Sequence, residues 1–170
     1  TIVDRIVQRP SMPILCPLGG LVAKPSSLCA LPTANGVTWE KVTLTVDSGA
    51  SDTVLSPRML SWIPLSHTAK TGAEYEVANG GVVVNLGEKH AEMKTREGGN
   101  SFIMSFQVVE VHKPLLAVSR LVEAGHKVIF DQDDPHILMS TNEKVPMKCS
   151  GGTYEIEIWV RNTGFTRQHG

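Results

Sequence analysis

The residues best suited to chemistry are Asp47-Ser48-Gly49-Ala50: a carboxylate, a hydroxyl, a glycine and a small side chain. They directly follow residues 42–46, whose alternation and β-branched side chains predict a strand. A carboxylate fixed at the end of a buried strand can activate a water molecule against an amide carbonyl. Asp-Ser-Gly is also an ordinary turn tripeptide, so a surface turn is the alternative. The strand before it and the Asp-Thr-Val-Leu run after it favour the chemical interpretation.

Amide hydrolysis of this kind needs two neighbouring carboxylates that share one proton. The sequence contains a single Asp-Ser-Gly and no Asp-Thr-Gly, and its other aspartates stand in other contexts: Asp4, Asp52, Asp131, Asp133 and Asp134. We therefore expect the second carboxylate to come from a second copy of the chain, in a two-fold homodimer.

The sequence around Asp47 resembles the retropepsins, the small dimeric aspartic proteases of retroviruses and retrotransposons. A second signature carries the resemblance: Leu115-Leu116-Ala117 precedes a predicted helix over residues 118–124, which ends at Gly125. Residues 126–130 then read His-Lys-Val-Ile-Phe. This version of the signature is most similar to Copia-type retrotransposon polyproteins. The resemblance covers roughly residues 37–130, with a looser likeness from 131 to 160.

The resemblance implies a set of site residues: Asp47 as the catalytic residue, Ser48, Gly49 and Ala50 as the active-site loop, and Asp52, Asn79, Gly80 and Gly81 as substrate-binding residues. Asn-Gly between two β runs is itself a strong hairpin signal, and this hairpin would be the flap that closes over an extended peptide. The alternatives are a hairpin that meets only solvent and, for Asp52, a solvated charge or a local cap.

The sequence also departs from the retroviral pattern. Ala117 stands where many of those enzymes have glycine. Ser51 and Val118 stand where they often have an aspartate and an arginine that pair. Because both charges are missing together, neither is left unpaired. We expect the dimer to be stabilised instead by residues 8–36 or by the C-terminal extension.

Alternating apolar residues and turn residues predict an all-β chain with one short helix. The resemblance implies a retropepsin-like closed barrel, the acid protease fold, with a short helix near its C-terminal end and extra C-terminal strands. Strands are predicted over residues 39–46, 53–56, 75–78, 82–84, 102–111, 127–130, 136–140 and 154–160. The predicted organisation is an extended Pro/Gly-rich lead-in over 1–36, a protease domain over 37–130 and a C-terminal β extension over 131–170.

Composition limits the partners that we expect. The net charge is −1 with no basic run, so nucleic-acid binding by this segment is not predicted. No stretch approaches the ~18 apolar residues that span a bilayer, so membrane insertion is not predicted either. Three cysteines and six histidines show no ligand spacing, so we predict no metal and no cofactor. A start at Thr1 favours a fragment or processed product, and reduced thiols favour an intracellular, cytoplasmic setting such as a retrotransposon particle.

The sequence therefore predicts a homodimeric aspartic endopeptidase that cleaves extended peptides, with its own polyprotein as the natural substrate implied by the resemblance. The alternative is a domesticated, non-catalytic retropepsin-like domain that serves as a structural or protein-interaction subunit. Two copies of Asp47 that face each other would favour the first; a chain that is always monomeric, or an Asp47 covered by another part of the chain, would favour the second.

Overall fold

A computed structural model describes residues 6–8, 30–32 and 37–164 of the 170-residue chain. These residues form strands and one short helix. The strands are β1 (Ile6–Gln8), β2 (Ala30–Pro32), β3 (Thr38–Asp47), β4 (Val54–Leu55), β5 (Glu74–Val77), β6 (Val82–Val84), β7 (Gly87–Lys94), β8 (Phe102–Val108), β9 (Leu115–Ala117), β10 (Lys127–Ile129), β11 (His136–Leu138), β12 (Lys144–Pro146), β13 (Lys148–Ser150) and β14 (Thr153–Asn162). The helix is α1 (Val118–Glu123).

The main sheet is mixed, and its hydrogen bonds form a ring. Starting from β3, the strand order β14, β7, β8, β4 and β9 returns to β3. The β3–β9 and β4–β8 pairs are parallel, and the other pairs in the ring are antiparallel. Strands β13 and β2 pair outside the ring, with β14 and β3 respectively. Two separate three-stranded sheets, β1–β5–β6 and β10–β11–β12, complete the described strands.

The ring includes a strand from the predicted C-terminal extension. β14 pairs with β3 in one continuous register, from Tyr154 opposite Val46 to Asn162 opposite Thr38. The same strand pairs with β7 through Trp159 and Val160. Residues on both sides of position 130 are thus joined in one sheet.

Alternation along the strands produces the core. The larger apolar cluster includes Val42 and Leu44 of β3, Ala91 and Met93 of β7, Phe106 of β8, and Ile156 and Ile158 of β14. A smaller cluster lies beside it and consists of Ala50, Val54, Tyr75, Val109, Val111, Leu115 and Ala117. Val77 and Val83 of the β5–β6 hairpin pack against this smaller cluster.

The predicted β class with one short helix is confirmed for the described residues. The helix ends at Glu123, and Gly125 follows it with φ +92°, the left-handed conformation expected at the C′ position. The predicted strand over 102–111 ends earlier, at Val108. Strands β1, β2, β7, β12 and β13 were not predicted from the sequence.

The prediction for residues 1–36 falls largely outside the described residues. Within it, β1 pairs with β5 and β2 pairs with β3, and both pairings are antiparallel. Of the residues that the structure describes, none belongs to a helix with the length and hydropathy to cross a membrane.

Candidate functional site

Asp47 is the last residue of β3, where the strand turns away from the ring. Its carboxylate Oδ1 accepts a hydrogen bond of 2.7 Å from the Gly49 backbone N–H. Its backbone carbonyl accepts one of 3.4 Å from the Ala50 N–H. Asp47 is half-buried, Ser48 is exposed and Ala50 is buried. The turn therefore holds its own carboxylate, with Ala117 of the parallel strand β9 beside it.

Asp47 and Ser48 line an open cavity of about 410 Å³. Its lining also includes aromatic residues that were not among the predicted site residues. The rings of Phe130 and Tyr154 meet edge to face, with centroids 5.0 Å apart. The remaining lining residues are Thr45, Val46, Lys113, Leu115, Gly151, Gly152 and Thr153. The β13–β14 turn thus borders the cavity because β14 runs alongside β3 up to Val46.

The predicted hairpin is confirmed. β5 and β6 pair antiparallel, with Glu76 opposite Val82. At its tip, Gly80 has φ +89°, which side-chain-bearing residues rarely adopt. The Gly81 N–H donates to the Asn79 side-chain oxygen at 2.9 Å, which closes the turn locally. Contact between Asn79–Gly81 and a substrate stays a prediction.

The hairpin and the Asp47 turn share one apolar cluster. Tyr75 is fully buried in β5, and Val77 and Val83 pack against the same cluster from the same hairpin. Ala50, the fourth residue of the predicted active-site loop, belongs to that cluster. The strands of the hairpin therefore pack on the same apolar cluster as Ala50 of the turn, while the tip of the hairpin is exposed.

Asp52 lies in the interior, with none of its surface exposed. Its carboxylate is 3.3 Å from the Lys70 ammonium and 3.3 Å from Arg120 Nε. It also accepts a hydrogen bond of 3.1 Å from the Tyr75 hydroxyl. The alternative of a solvated charge is therefore wrong, and the predicted contact with substrate stays a prediction. Burial raises the pKa of Asp52, while the charges of Lys70 and Arg120 act in the opposite direction.

Arg120 is a residue of the site region that the sequence reasoning missed. Arg120 Nε lies 3.3 Å from Asp52 Oδ1, so an aspartate and an arginine pair one and two positions further along the chain than Ser51 and Val118. Arg120 Nε also donates to the Ser51 carbonyl at 3.2 Å. The available signal was that Arg120 is the one basic residue in the α1 sequence. Through it, the helix is tied to the loop that follows Asp47.

One chain therefore presents one half-buried carboxylate with an exposed hydroxyl next to it, at an open cavity and near a hairpin. Hydrolysis of the aspartic type, through an activated water, needs two such carboxylates. Among the described residues, no group of three or more His, Cys, Asp or Glu side chains is arranged to hold a metal ion.

No protein family, curated protein or solved structure matches the chain.

Proposed function

We propose that this chain is an aspartic endopeptidase that acts as a homodimer, with one Asp47 from each copy. The observation that carries the proposal is the Asp47 turn. Its carboxylate is held by the Gly49 N–H at the end of a ring strand, at the edge of an open cavity. An ordinary surface turn does not require its aspartate to border a cavity of about 410 Å³.

The fold that we propose is the retropepsin-like closed barrel, or acid protease fold. Three features support it: the ring of strands that returns to β3, the parallel β3–β9 pair beside Asp47, and the single helix directly after β9. In this proposal residues 37–130 form the protease domain, and the extension after 130 contributes β14 to its sheet.

The homodimer follows from counting carboxylates. The sequence has one Asp-Ser-Gly, and the neighbouring Asp52 is already surrounded by Lys70, Tyr75 and Arg120 in the interior. The Asp47 of a second copy, related by a two-fold axis, supplies the missing group. With one proton shared between the pair, the ionised carboxylate takes a proton from water and the protonated one polarises the substrate carbonyl.

The substrate in this proposal is an extended peptide, and its natural form is a retrotransposon polyprotein. An extended peptide lies between the Asp47 turn and the β5–β6 hairpin, whose glycine-containing tip closes over it. Exclusion of water by the closed hairpin strengthens the electrostatic interactions of the carboxylate pair.

The direct test is Asp47→Asn, which keeps the shape of the side chain and removes its charge. We expect hydrolysis of extended peptides, followed by mass spectrometry, to be abolished while the thermal melt is retained. Asp133→Asn, at an exposed position, is the matched control and retains activity. An Asp47→Asn protein that cleaves at the wild-type rate would show that Asp47 is not catalytic.

The second candidate is a non-catalytic retropepsin-like domain that acts as a structural or protein-interaction subunit. The observation in its favour is that the β13–β14 turn already lines the cavity next to Asp47. This second candidate is the correct one if the wild-type chain is monomeric at every concentration and cleaves no peptide between about pH 3 and pH 7. That is the pH range in which a carboxylate pair that shares one proton is active.

A further inference from the structure

We propose that a buried polar network couples the β5–β6 hairpin to the Asp47 turn, with Tyr75 as its central positioning residue. The network consists of Asp52, Lys70, Tyr75 and Arg120 and is called the Asp52 network below. The inference rests on the proposed function, because it assigns Tyr75 a part in shaping that same site.

The carboxylate of Asp52 is approached by the other three members of the network, and the Tyr75 hydroxyl is the contact that comes from the hairpin. Lys70 Nζ and the Tyr75 hydroxyl both approach its Oδ2, at 3.3 Å and 3.1 Å, and Arg120 Nε lies 3.3 Å from its Oδ1. All four side chains are buried. In a low-dielectric interior such contacts are stronger than at the surface and fix the groups that make them.

Each member belongs to a different part of the chain. Asp52 follows the Asp47 turn by a few residues, Tyr75 lies in β5 of the hairpin, and Arg120 lies in α1. Arg120 also holds the Ser51 carbonyl, at 3.2 Å. A displacement of the hairpin is therefore transmitted to residues 51–52 through the Tyr75 hydroxyl.

The Tyr75 hydroxyl is also anchored on its other side. It accepts a hydrogen bond of 3.1 Å from Asn85 Nδ2, which also donates to Gln107 Oε1 at 2.8 Å. Gln107 in β8 in turn donates to Glu88 Oε1 in β7, at 2.6 Å. One phenolic hydroxyl thus connects Asp52 near the turn to two strands of the ring.

Stability alone is a weak reason for this arrangement. Buried ion pairs are often replaceable by apolar residues at no loss of stability, because desolvation offsets their attraction. The hairpin strands already have an apolar anchor, since Val77 and Val83 pack on the cluster that contains Ala50. The hydrogen bonds of the Asp52 network are directional, unlike apolar packing, so they fix the position of the hairpin relative to the turn.

The test is Tyr75→Phe, which keeps the ring in the core and removes only the hydroxyl. We expect amide hydrogen exchange in residues 48–53 and 76–82 to accelerate together by about tenfold, as lost hydrogen bonding to a buried charged group implies. With active-site concentrations matched, we expect KM for an extended peptide to rise several-fold. A purely structural role would lower only the fraction of chains that form active sites, and at matched active-site concentration it would leave KM unchanged.

The matched control is Lys89→Met. Lys89 is a buried ammonium that donates to the carbonyls of Met59 and Leu60, which are not members of the Asp52 network. It should lower global stability without joint loosening of the hairpin and the turn. If Tyr75→Phe loosens the hairpin alone, or loosens no more than Lys89→Met at equal stability, the coupling is overturned.

The two proposals can fail separately. If the wild type cleaves no peptide but both segments still loosen together in Tyr75→Phe, the coupling stands and the peptidase proposal falls. If Asp47→Asn abolishes cleavage while Tyr75→Phe leaves KM and both exchange rates unchanged, the peptidase proposal stands and the coupling falls.

Discussion

Asp52 is a carboxylate buried between two cations, and removal of one cation tests its electrostatic role. Lys70 Nζ lies 3.3 Å from Asp52 Oδ2, and both side chains are almost fully buried. We expect Lys70→Met to lower the free energy of unfolding at pH 7 by about 3 kcal/mol, because it leaves a buried charge with less compensation. Denaturant unfolding measures the change.

The pH dependence of this variant follows from the direction of the Asp52 shift. Burial raises its pKa above the ordinary 3.8. The stability that comes from the protonated Asp52 carboxyl is therefore fully present below pH 3.8, and it is lost as pH rises through the folded-state pKa of Asp52. Loss of Lys70 raises the folded-state pKa of Asp52 further. The stability lost in Lys70→Met should therefore be largest at neutral pH and smaller in acid. A deficit that is equal at all pH values would contradict this account.

Lys144→Met is the matched control for Lys70→Met. Lys144 pairs with Asp134 at 2.5 Å, but both side chains are about half exposed. Solvent screens such pairs, so the control should change stability little.

Single residues also mark the limit of sequence interpretation. The position of Asp47 at the end of a strand was predictable, because alternation over residues 42–46 and the turn tripeptide are both local signals. The burial of Asp52 was not. Lys70 and Tyr75 lie 18 and 23 residues further along the chain, and Arg120 lies in the helix beyond β9. No local sequence pattern indicates which distant basic residues will pack against a given carboxylate.

At the scale of the element, the tip of the β5–β6 hairpin is the part whose motion the proposed function needs. Gly80 has φ +89°, and a Cβ there would meet nothing within 4 Å. Gly80→Val therefore tests backbone conformation without a steric clash. We expect peptide turnover to fall by about tenfold or more, since ~1.4 kcal/mol of lost closure costs a factor of ten. The thermal melt should change little because the tip is exposed.

Gly98→Val is a closely matched control. Gly98 lies in the exposed connection between β7 and β8, with φ +76° and equally open space around it. Both variants carry the same kind of backbone strain, so their melts should be similar while turnover falls only in Gly80→Val. Normal turnover in Gly80→Val would show that this hairpin is not the flap.

Elements with a clean apolar alternation were predictable, and β7 shows why others were not. Its sequence is Gly-Glu-Lys-His-Ala-Glu-Met-Lys, without Val, Ile, Thr, Phe, Tyr or Trp. The inward positions include Lys89, whose ammonium is buried and donates to the Met59 and Leu60 carbonyls. From the sequence alone such a lysine is expected at the surface, because the carbonyls that accept its hydrogen bonds come from a distant part of the chain.

At the scale of the whole molecule, the proposed dimer makes activity depend on a second copy. A mixed dimer of wild type and Asp47→Asn holds one carboxylate and should be inactive. At a fixed wild-type concentration, an equal amount of Asp47→Asn should therefore lower turnover to about half, and a larger excess should lower it further. Dilution of the wild type should lower specific activity as dimers dissociate. Undiminished turnover in both experiments would contradict the dimer.

The assembled pair should also have a bell-shaped pH profile on the acid side of neutrality. The reaction needs one carboxyl of the pair protonated and the other ionised, so the rate falls at both extremes of pH. Initial rates on one peptide from about pH 3 to pH 9 measure this profile. A rate that rises continuously to the alkaline end would indicate a different nucleophile.

The pairing of β14 with β3 also sets the order of events during synthesis. Asp47 leaves the ribosome more than a hundred residues before Thr153, the first residue of β14. At ~5–20 residues per second, β3 waits roughly 5–20 s for this neighbour. During that interval its edge carries unpaired N–H and C=O groups, and the Ile156 and Ile158 part of the apolar cluster is missing. The ring, and with it part of the lining of the cavity beside Asp47, is completed only after residue 162 has been made, so the site is unfinished while residues 48–162 are synthesised.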